Sequence, residues 1–341
     1  MKAFWNPIEL THEPEFFLQR GFLRRNFEIP ARAEALLVAC TEMGMEITTP
    51  PPATRAALEA VHTPDYLDFL RDGPAAWEKL ADHGRELVPN IHPSPEMLSQ
   101  GAKQSSTIVG QIGWFTADTS CPISTTTWPA AIAAAAGAIA AADAASSGAH
   151  AYALARPPGH HAYAARAGGH CYLNNAALAA QRLRDNGAKK VAVLDIDSHH
   201  GNGTQGIFWE RPDVFFTSLH GDPNGYYPWY IGHGGERGGG AGIGANLNLP
   251  MAQGSGDETW LASLRYALAQ IRIFGAEALV ISLGFDASEH EPLRYLSVTD
   301  DGFARAGEAI AATKLPCAIV QEGGYNTEVI GELLKRFLSG F

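Results

Sequence analysis

Five short segments of this 341-residue chain carry side chains suited to hydrolysis: Arg156-Pro-Pro-Gly-His160-His161, Asp195-Ile-Asp197-Ser-His199-His200-Gly-Asn202-Gly, Ser218-Leu219-His220-Gly221, Gly284-Phe285-Asp286 and Glu322-Gly-Gly-Tyr325. Asp197 and His199 are two residues apart, so on extended backbone both point to one face and can reach one cation. Asp286, from another segment, is the natural third ligand. Two carboxylates and one nitrogen leave positions open for water and substrate, as a catalytic rather than a structural metal site requires. An isolated Asp-x-His pair is more often a helix N-cap beside a packed loop histidine; here four further polar segments accompany it. The Pro-Pro-Gly turn can aim His160 and His161 into one pocket, where an imidazole could serve as general base toward an attacking water. Tyr325 follows two glycines, which free the backbone to swing its phenol toward a carbonyl oxygen.

Each segment follows a short apolar run that reads as a strand: Ala151–Ala155, Val191–Asp195, Val214–Leu219, Ala278–Leu283 and Cys317–Gln321. Helical patterns lie between them at Asn174–Asn186, Asp257–Phe274 and Asp300–Thr313, with stop signals near Gly187, Gly275 and Pro316. The alternation predicts a mainly parallel sheet with helices on both faces, right-handed crossovers, and reactive groups at the carboxyl ends of the strands. In the first third, Ala31–Met43 and the alanine-rich Pro129–Ser147 read as helices. Between them, Gly73 to Thr127 carries Pro, Gly, Ser and Asn at a density that argues against regular structure, so it is expected to be a functional or assembly loop. Gly232 to Gly244 reads as a second, mobile surface loop.

Composition narrows the partners. The chain is 46% hydrophobic and 18% charged, with 25 Lys+Arg against 36 Asp+Glu and a formal charge of −11. Without a block of basic residues, nucleic acid is not an expected partner, and the acidic surface favours a cationic substrate only weakly. Cys40, Cys121, Cys171 and Cys317 are far apart and read as reduced cytosolic thiols. Glu9, Glu13 and Glu15 interrupt the stretch where a signal peptide needs its apolar core. A cytoplasmic protein with no membrane partner is expected.

Taken in order, the five segments resemble the histone deacetylase superfamily, with the similarity running from about Pro30 to Tyr325. Gly110-Gln-Ile-Gly-Trp-Phe-Thr-Ala-Asp118-Thr-Ser further resembles the bacterial acetylpolyamine amidohydrolases, in which an inserted loop forms a dimer and narrows the active-site mouth. The resemblance implies one α/β domain of the arginase/deacetylase type over residues 1–341, with that insertion at about 73–127. It implies one catalytic Zn²⁺ on Asp197, His199 and Asp286, and a structural K⁺ on Asp195, Ser218 and the backbone carbonyls of Asp197, His199 and Leu219. His160 would give electrostatic help with Asp195 behind it, His161 would be base and then acid with Asn202 behind it, and Tyr325 would hold the oxyanion. Arg32 resembles an arginine lining an internal channel for acetate release. Asp118, His170 and Tyr227 would meet the substrate.

Three positions depart from the polyamine pattern. His170 stands where an aromatic wall is expected, Val109 replaces a mouth carboxylate, and Arg166 would repel a polycation if it faced the channel. The expected activity is hydrolysis of acetyl or short acyl groups from acetylated polyamines or related small amines. A protein acetyl-lysine deacetylase is the alternative. A catalytically silent acyl-ligand binder is disfavoured, because it needs neither His161 nor Tyr325. A homodimer is expected, with Trp77, Trp114 and Phe115 supplying apolar surface on the insertion.

Overall fold

Side-chain alternation along the strands divides the interior into two layers. The computed structural model describes all residues from Met1 to Phe341. Its strands are β1 (Lys2–Phe4), β2 (Phe16–Gln19), β3 (Phe22–Arg25), β4 (Glu46–Thr48), β5 (Ala151–Ala153), β6 (Val191–Asp195), β7 (Val214–Gly221), β8 (Asn246–Met251), β9 (Ala278–Leu283) and β10 (Cys317–Gln321). Eight of them form one parallel sheet in the order β4-β1-β5-β10-β9-β6-β7-β8, while β2 and β3 pair as a separate antiparallel hairpin. Val191, Val193, Val280, Ala318 and Val320 face one core, packed by helices Pro64–Trp77, Thr127–Ser146 and Asn175–Asp185. Ala192, Leu194, Leu279, Ile281 and Ile319 face the other, packed by helices Pro30–Glu42, Asp257–Phe274, Asp300–Ala311 and Ile330–Leu338. Each fully buried Val, Leu or Ile side chain contributes roughly 1.5–3 kcal/mol of hydrophobic stabilisation.

This is the α/β architecture expected from the sequence, and all five expected strands form, with β5 ending two residues early and β7 running two residues further. Three sheet strands were not anticipated. β1 and β4 are three residues each, too short to show a period. β8 is interrupted by Asn248 and Pro250, and a proline is tolerated there because β8 is the sheet edge. Helix Thr127–Ser146 is long and apolar enough to cross a membrane, yet packs against β5, β10 and helix Asn175–Asp185, where small alanine side chains permit close approach.

The insertion departs from expectation. Residues 73–127 are not devoid of regular structure, because helices Pro95–Ser99 and Ile108–Phe115 form within them. Phe115 is fully buried, stacked 4.9 Å from Phe69, and Trp77 and Trp114 are half-buried against the core. The exposed apolar side chains of the insertion are instead Ile91, Met97, Leu98 and Val109. The Gly232–Gly244 segment is also anchored rather than a free surface loop. The Gly232 carbonyl accepts from His220 at 2.8 Å, and a Cβ on Gly239 or Gly242 would collide with Trp209.

The chain reverses its direction of travel across the sheet between β6 and β9. From β6 it moves outward to β7 and β8, then returns to place β9 on the other side of β6, followed by β10. In doubly wound sheets the crevice at such a switch point is where ligands sit.

Candidate active site

β6 and β9 lie side by side, with Asp195 in register with Ser282. Asp197 and His199 follow β6 and Asp286 follows β9, so the switch point itself brings these three together. Their ligand atoms all lie within 4.8 Å of one another. His199 Nδ1 is 3.2 Å from Asp197 Oδ1 and 2.9 Å from Asp286 Oδ2. The remaining oxygen of each carboxylate is fixed by backbone: Gly323 N–H donates to Asp197 Oδ2 at 2.9 Å and Ser198 N–H to Asp286 Oδ1 at 2.8 Å. Gly284 and Gly323 are required here, because a Cβ on either would collide with these carboxylates. Two buried carboxylates converging on one imidazole nitrogen make an O,O,N donor set with open positions, which fits a catalytic zinc-type ion.

The two histidines after β5 have different partners. His160 Nδ1 is 3.0 Å from Asp195 Oδ2. Burial disfavours its charged form, but the carboxylates of Asp195 and Asp197 outweigh that and raise its pKa to about 10. His161 Nδ1 lies 2.6 Å from Asn202 Oδ1, and Asn202 Nδ2 donates to the Tyr163 hydroxyl at 2.9 Å. That orientation of the amide makes His161 Nδ1 the protonated nitrogen and leaves Nε2 with a free lone pair. Burial, reinforced by repulsion from His160 and His199, pushes the His161 pKa well below its ordinary value and keeps it neutral.

Tyr325 reaches the site from the turn after β10. Burial pushes its pKa well up, so the phenol keeps its proton. Its backbone N–H donates to Glu291 Oε1 at 2.7 Å, and Asn326 N–H donates to the same oxygen at 3.0 Å. Arg32 lies beneath this turn. It donates to the carbonyls of Gly324 at 2.5 Å and Glu322 at 2.6 Å, and its guanidinium sits 4.9 Å from the Tyr325 ring centre. Glu322 joins β10 to the histidine turn, accepting from Gly159 N–H at 2.7 Å and His160 N–H at 3.1 Å.

These groups open into a pocket of about 300 Å³ whose lining includes His161, His199 and Tyr325. The Tyr227 ring packs edge-on against His161 at 4.8 Å, and its hydroxyl donates to Asp118 Oδ2 at 2.6 Å. Asp118 also accepts from Ser120 N–H at 2.7 Å and Gly169 N–H at 3.1 Å, so it organises the rim as well as lining it. His170 lines the pocket and packs edge-on against Phe17 at 5.3 Å. Arg166 does not face this pocket. It lines a separate shallow depression with Ala117, Tyr163 and Gly206, and Val109 is exposed on helix Ile108–Phe115, outside the pocket lining. Asp195 and Ser218 are register partners on β6 and β7, with Leu219 next along β7, and the Ser218 hydroxyl lies 2.9 Å from His220 Nδ1.

Sequence reasoning assigned no role to Glu291, Glu322 or Tyr226, which stacks on His199 at 4.4 Å. It also missed the β2–β3 hairpin, which brings Phe17, Leu18, Gln19 and Arg20 to the rim. The available signal was Arg20-Gly21 between two short runs that each begin with apolar residues, since a two-residue turn with a glycine marks a hairpin.

The histone deacetylase domain profile matches residues 26–341. An acetylpolyamine amidohydrolase of Burkholderia pseudomallei is 43% identical over 343 residues, covering 100% of this chain and 98% of that one. The acetylpolyamine amidohydrolase of Mycoplana ramosa is 42% identical, covering 95% and 94%. A crystal structure of acetylpolyamine aminohydrolase from Burkholderia pseudomallei superposes with a TM-score of 0.95 at 42% identity, over 100% of this chain and 98% of that one. The HDA15 HD domain follows at 0.82 and 27%, over 99% and 90%. The chain belongs to the histone deacetylase family, and within it is similar over its whole length to bacterial acetylpolyamine amidohydrolases. It is a deacetylase of the hydrolase class.

Proposed function

We propose that this protein is a zinc-dependent amidohydrolase that removes acetyl or other short acyl groups from small amines, acetylated polyamines among them. The observation that carries this reading is the convergence of the Asp197–His199–Asp286 trio, the Asn202-oriented His161 and Tyr325 on one narrow pocket. Asp197, His199 and Asp286 would hold the Zn²⁺, which when bound would supply Lewis acidity toward the attacking water and the amide carbonyl. His161 Nε2 takes the proton from the attacking water and returns it to the amine as the C–N bond breaks, with Asn202 holding the tautomer throughout. Tyr325 donates to the carbonyl oxygen as it gains charge. His160, fixed by Asp195 through its Nδ1, sits beside His161 as the electrostatic member of the pair. The products are acetate and the free amine.

Potassium is proposed at Asp195, Ser218 and Leu219, supported by the register that places Asp195 beside Ser218 on neighbouring strands. A cytoplasmic homodimer is proposed, with Ile91, Met97, Leu98 and Val109 as the apolar surface that a second copy would cover. A screen of N-acetylputrescine, N-acetylcadaverine, N-acetylspermidine and an acetyl-lysine peptide tests the substrate reading. Small amines should be hydrolysed faster than the peptide, and a faster peptide would make the protein a protein deacetylase.

A further inference from the structure

Tyr227 holds two groups together at the mouth of the pocket. Its hydroxyl donates to Asp118 Oδ2 at 2.6 Å, and the Trp229 ring packs 5.3 Å from its own ring with the two planes at 83°. Asp118 and Trp229 both line the pocket that leads to His161 and Tyr325. Exposure rises along the contact series His161, Tyr227, Trp229, from 4% at the buried base to 52% at the indole, so the series runs from the reacting amide toward solvent. Trp229 is held there against two ordinary preferences. Its backbone φ is +59°, in the left-handed region that favours glycine, and a large apolar ring is left half in water. Packing accounts for neither, because Tyr227 is the ring's one aromatic neighbour and no arginine or lysine of the chain lies over its face. A bulky residue kept in a strained conformation is characteristic of ligand clamps.

From these observations we propose that Trp229 is a specificity-determining residue: its free indole face receives an ammonium group of the acylated amine, at the same mouth where Asp118 supplies a negative charge. The inference rests on the deacetylase reading above and specifies how the unreacted end of the substrate is recognised. Among aromatic side chains the indole attracts a cation most strongly, within about 6 Å of the ring centre. The two groups are complementary. A carboxylate accepts an N–H aimed at its lone pairs, whereas the indole face attracts an ammonium in any rotation, which suits the end of a flexible methylene chain. A neutral chain of the same length gains only apolar contact from the ring. Trp229 does not touch the reacting amide, so its contact is the same before and during the reaction and belongs in KM rather than in kcat.

The decisive comparison is between N-acetylcadaverine and N-hexylacetamide, which has a methyl group in place of the ammonium and is otherwise the same chain. Wild-type, Trp229→Leu and Trp229→Phe proteins, each zinc-loaded, are assayed by initial rates of acetate release. In the wild type, kcat/KM should favour N-acetylcadaverine. Trp229→Leu keeps an apolar wall and removes the aromatic face, so it should reduce that preference by about two- to fivefold, the range for a half-exposed cation–π contact. The loss should appear as a higher KM for the charged compound with kcat held. Trp229→Phe, which keeps a weaker face, should lose less. A Trp229→Leu protein that treats both compounds as the wild type does, or loses equally on both, overturns the inference and leaves the deacetylase reading standing. So does a wild type that hydrolyses the neutral compound as well as the charged one. If the zinc-loaded wild type hydrolyses neither compound nor any acetylpolyamine, the deacetylase reading falls and this inference with it.

Discussion

At the scale of single residues, the site works by giving chemically similar side chains different partners. His160 and His161 are consecutive, with ring centres 4.0 Å apart, yet one is fixed by a carboxylate and the other by an amide. Nearby carboxylates favour the charged form of the first, while burial and repulsion from His160 and His199 keep the second neutral, a division that suits the proposed electrostatic and acid–base roles. His161→Ala should lower kcat by about 10²–10⁴-fold, and Tyr325→Phe by roughly 10²–10³-fold, with the metal content of both variants unchanged. Near wild-type turnover in either would remove that residue from the mechanism. Glu291 acts through Tyr325, because its carboxylate gathers two N–H groups of the turn. Glu291→Ala should cut kcat by about tenfold with little change in KM, while Glu291→Gln, which keeps an acceptor oxygen, should recover most of the loss. Equal kcat in all three proteins would leave Glu291 without a positioning role. The metal trio and the histidine pair could be picked out in the sequence because each lies directly after a strand. Glu291 could not, since it lies in an irregular segment and its only connection to Tyr325 is through backbone N–H groups.

Among the elements, rigidity around the catalytic turn comes from groups that accept one protonation state only. His62 Nε2 accepts from Asn174 N–H at 2.9 Å, and its Nδ1–H donates to the Ala164 carbonyl at 3.2 Å. A protonated ring would face one donor with another. Burial accordingly lowers its pKa from 6.5 to about 4, against the raising effect of the Ala164 and Tyr163 carbonyls. The unfolded chain takes up this proton below about pH 6.5 and the folded chain only below about 4, so the contribution is complete above 6.5 and is lost on descending that interval. By linkage the loss from pH 7 to pH 5 is about 2 kcal/mol. His62→Asn should therefore be less stable at pH 7 but lose less in Tm between pH 7 and pH 5 than the wild type. A parallel decline of both proteins would show that His62 does not stay neutral. Continuous apolar runs such as β6 and β9 declared themselves in the sequence. The helices of the insertion did not, because Pro95–Ser99 spans little more than one turn and Ile108–Phe115 is interrupted by two glycines. The Pro/Gly/Ser content of residues 73–127 described the connections and hid what they connect.

For the whole molecule, the sheet does two things at once: it sorts apolar side chains into two cores and delivers the polar ones to a single edge. The order of strands makes the delivery possible, since neighbours in the sheet come from distant parts of the chain. That order follows from right-handed crossovers and from which helix packs on which face, which is why the parallel α/β class was legible but the flanking strands β1, β4 and β8 were not. Apolar side chains left exposed on the insertion bear on assembly. Light scattering at micromolar concentration should report a dimer, and replacing Ile91, Met97 and Leu98 with serine should shift it toward monomer; a wild-type monomer would contradict the homodimer. The most direct test of the central claim is acetate release from N-acetylcadaverine and Nε-acetyl-L-lysine by one preparation before chelation, after removal of metal verified by elemental analysis, and after return of Zn²⁺. Activity should vanish with the metal and return at one equivalent per chain; full turnover by the metal-free protein, or none by the zinc-loaded one, would contradict the account.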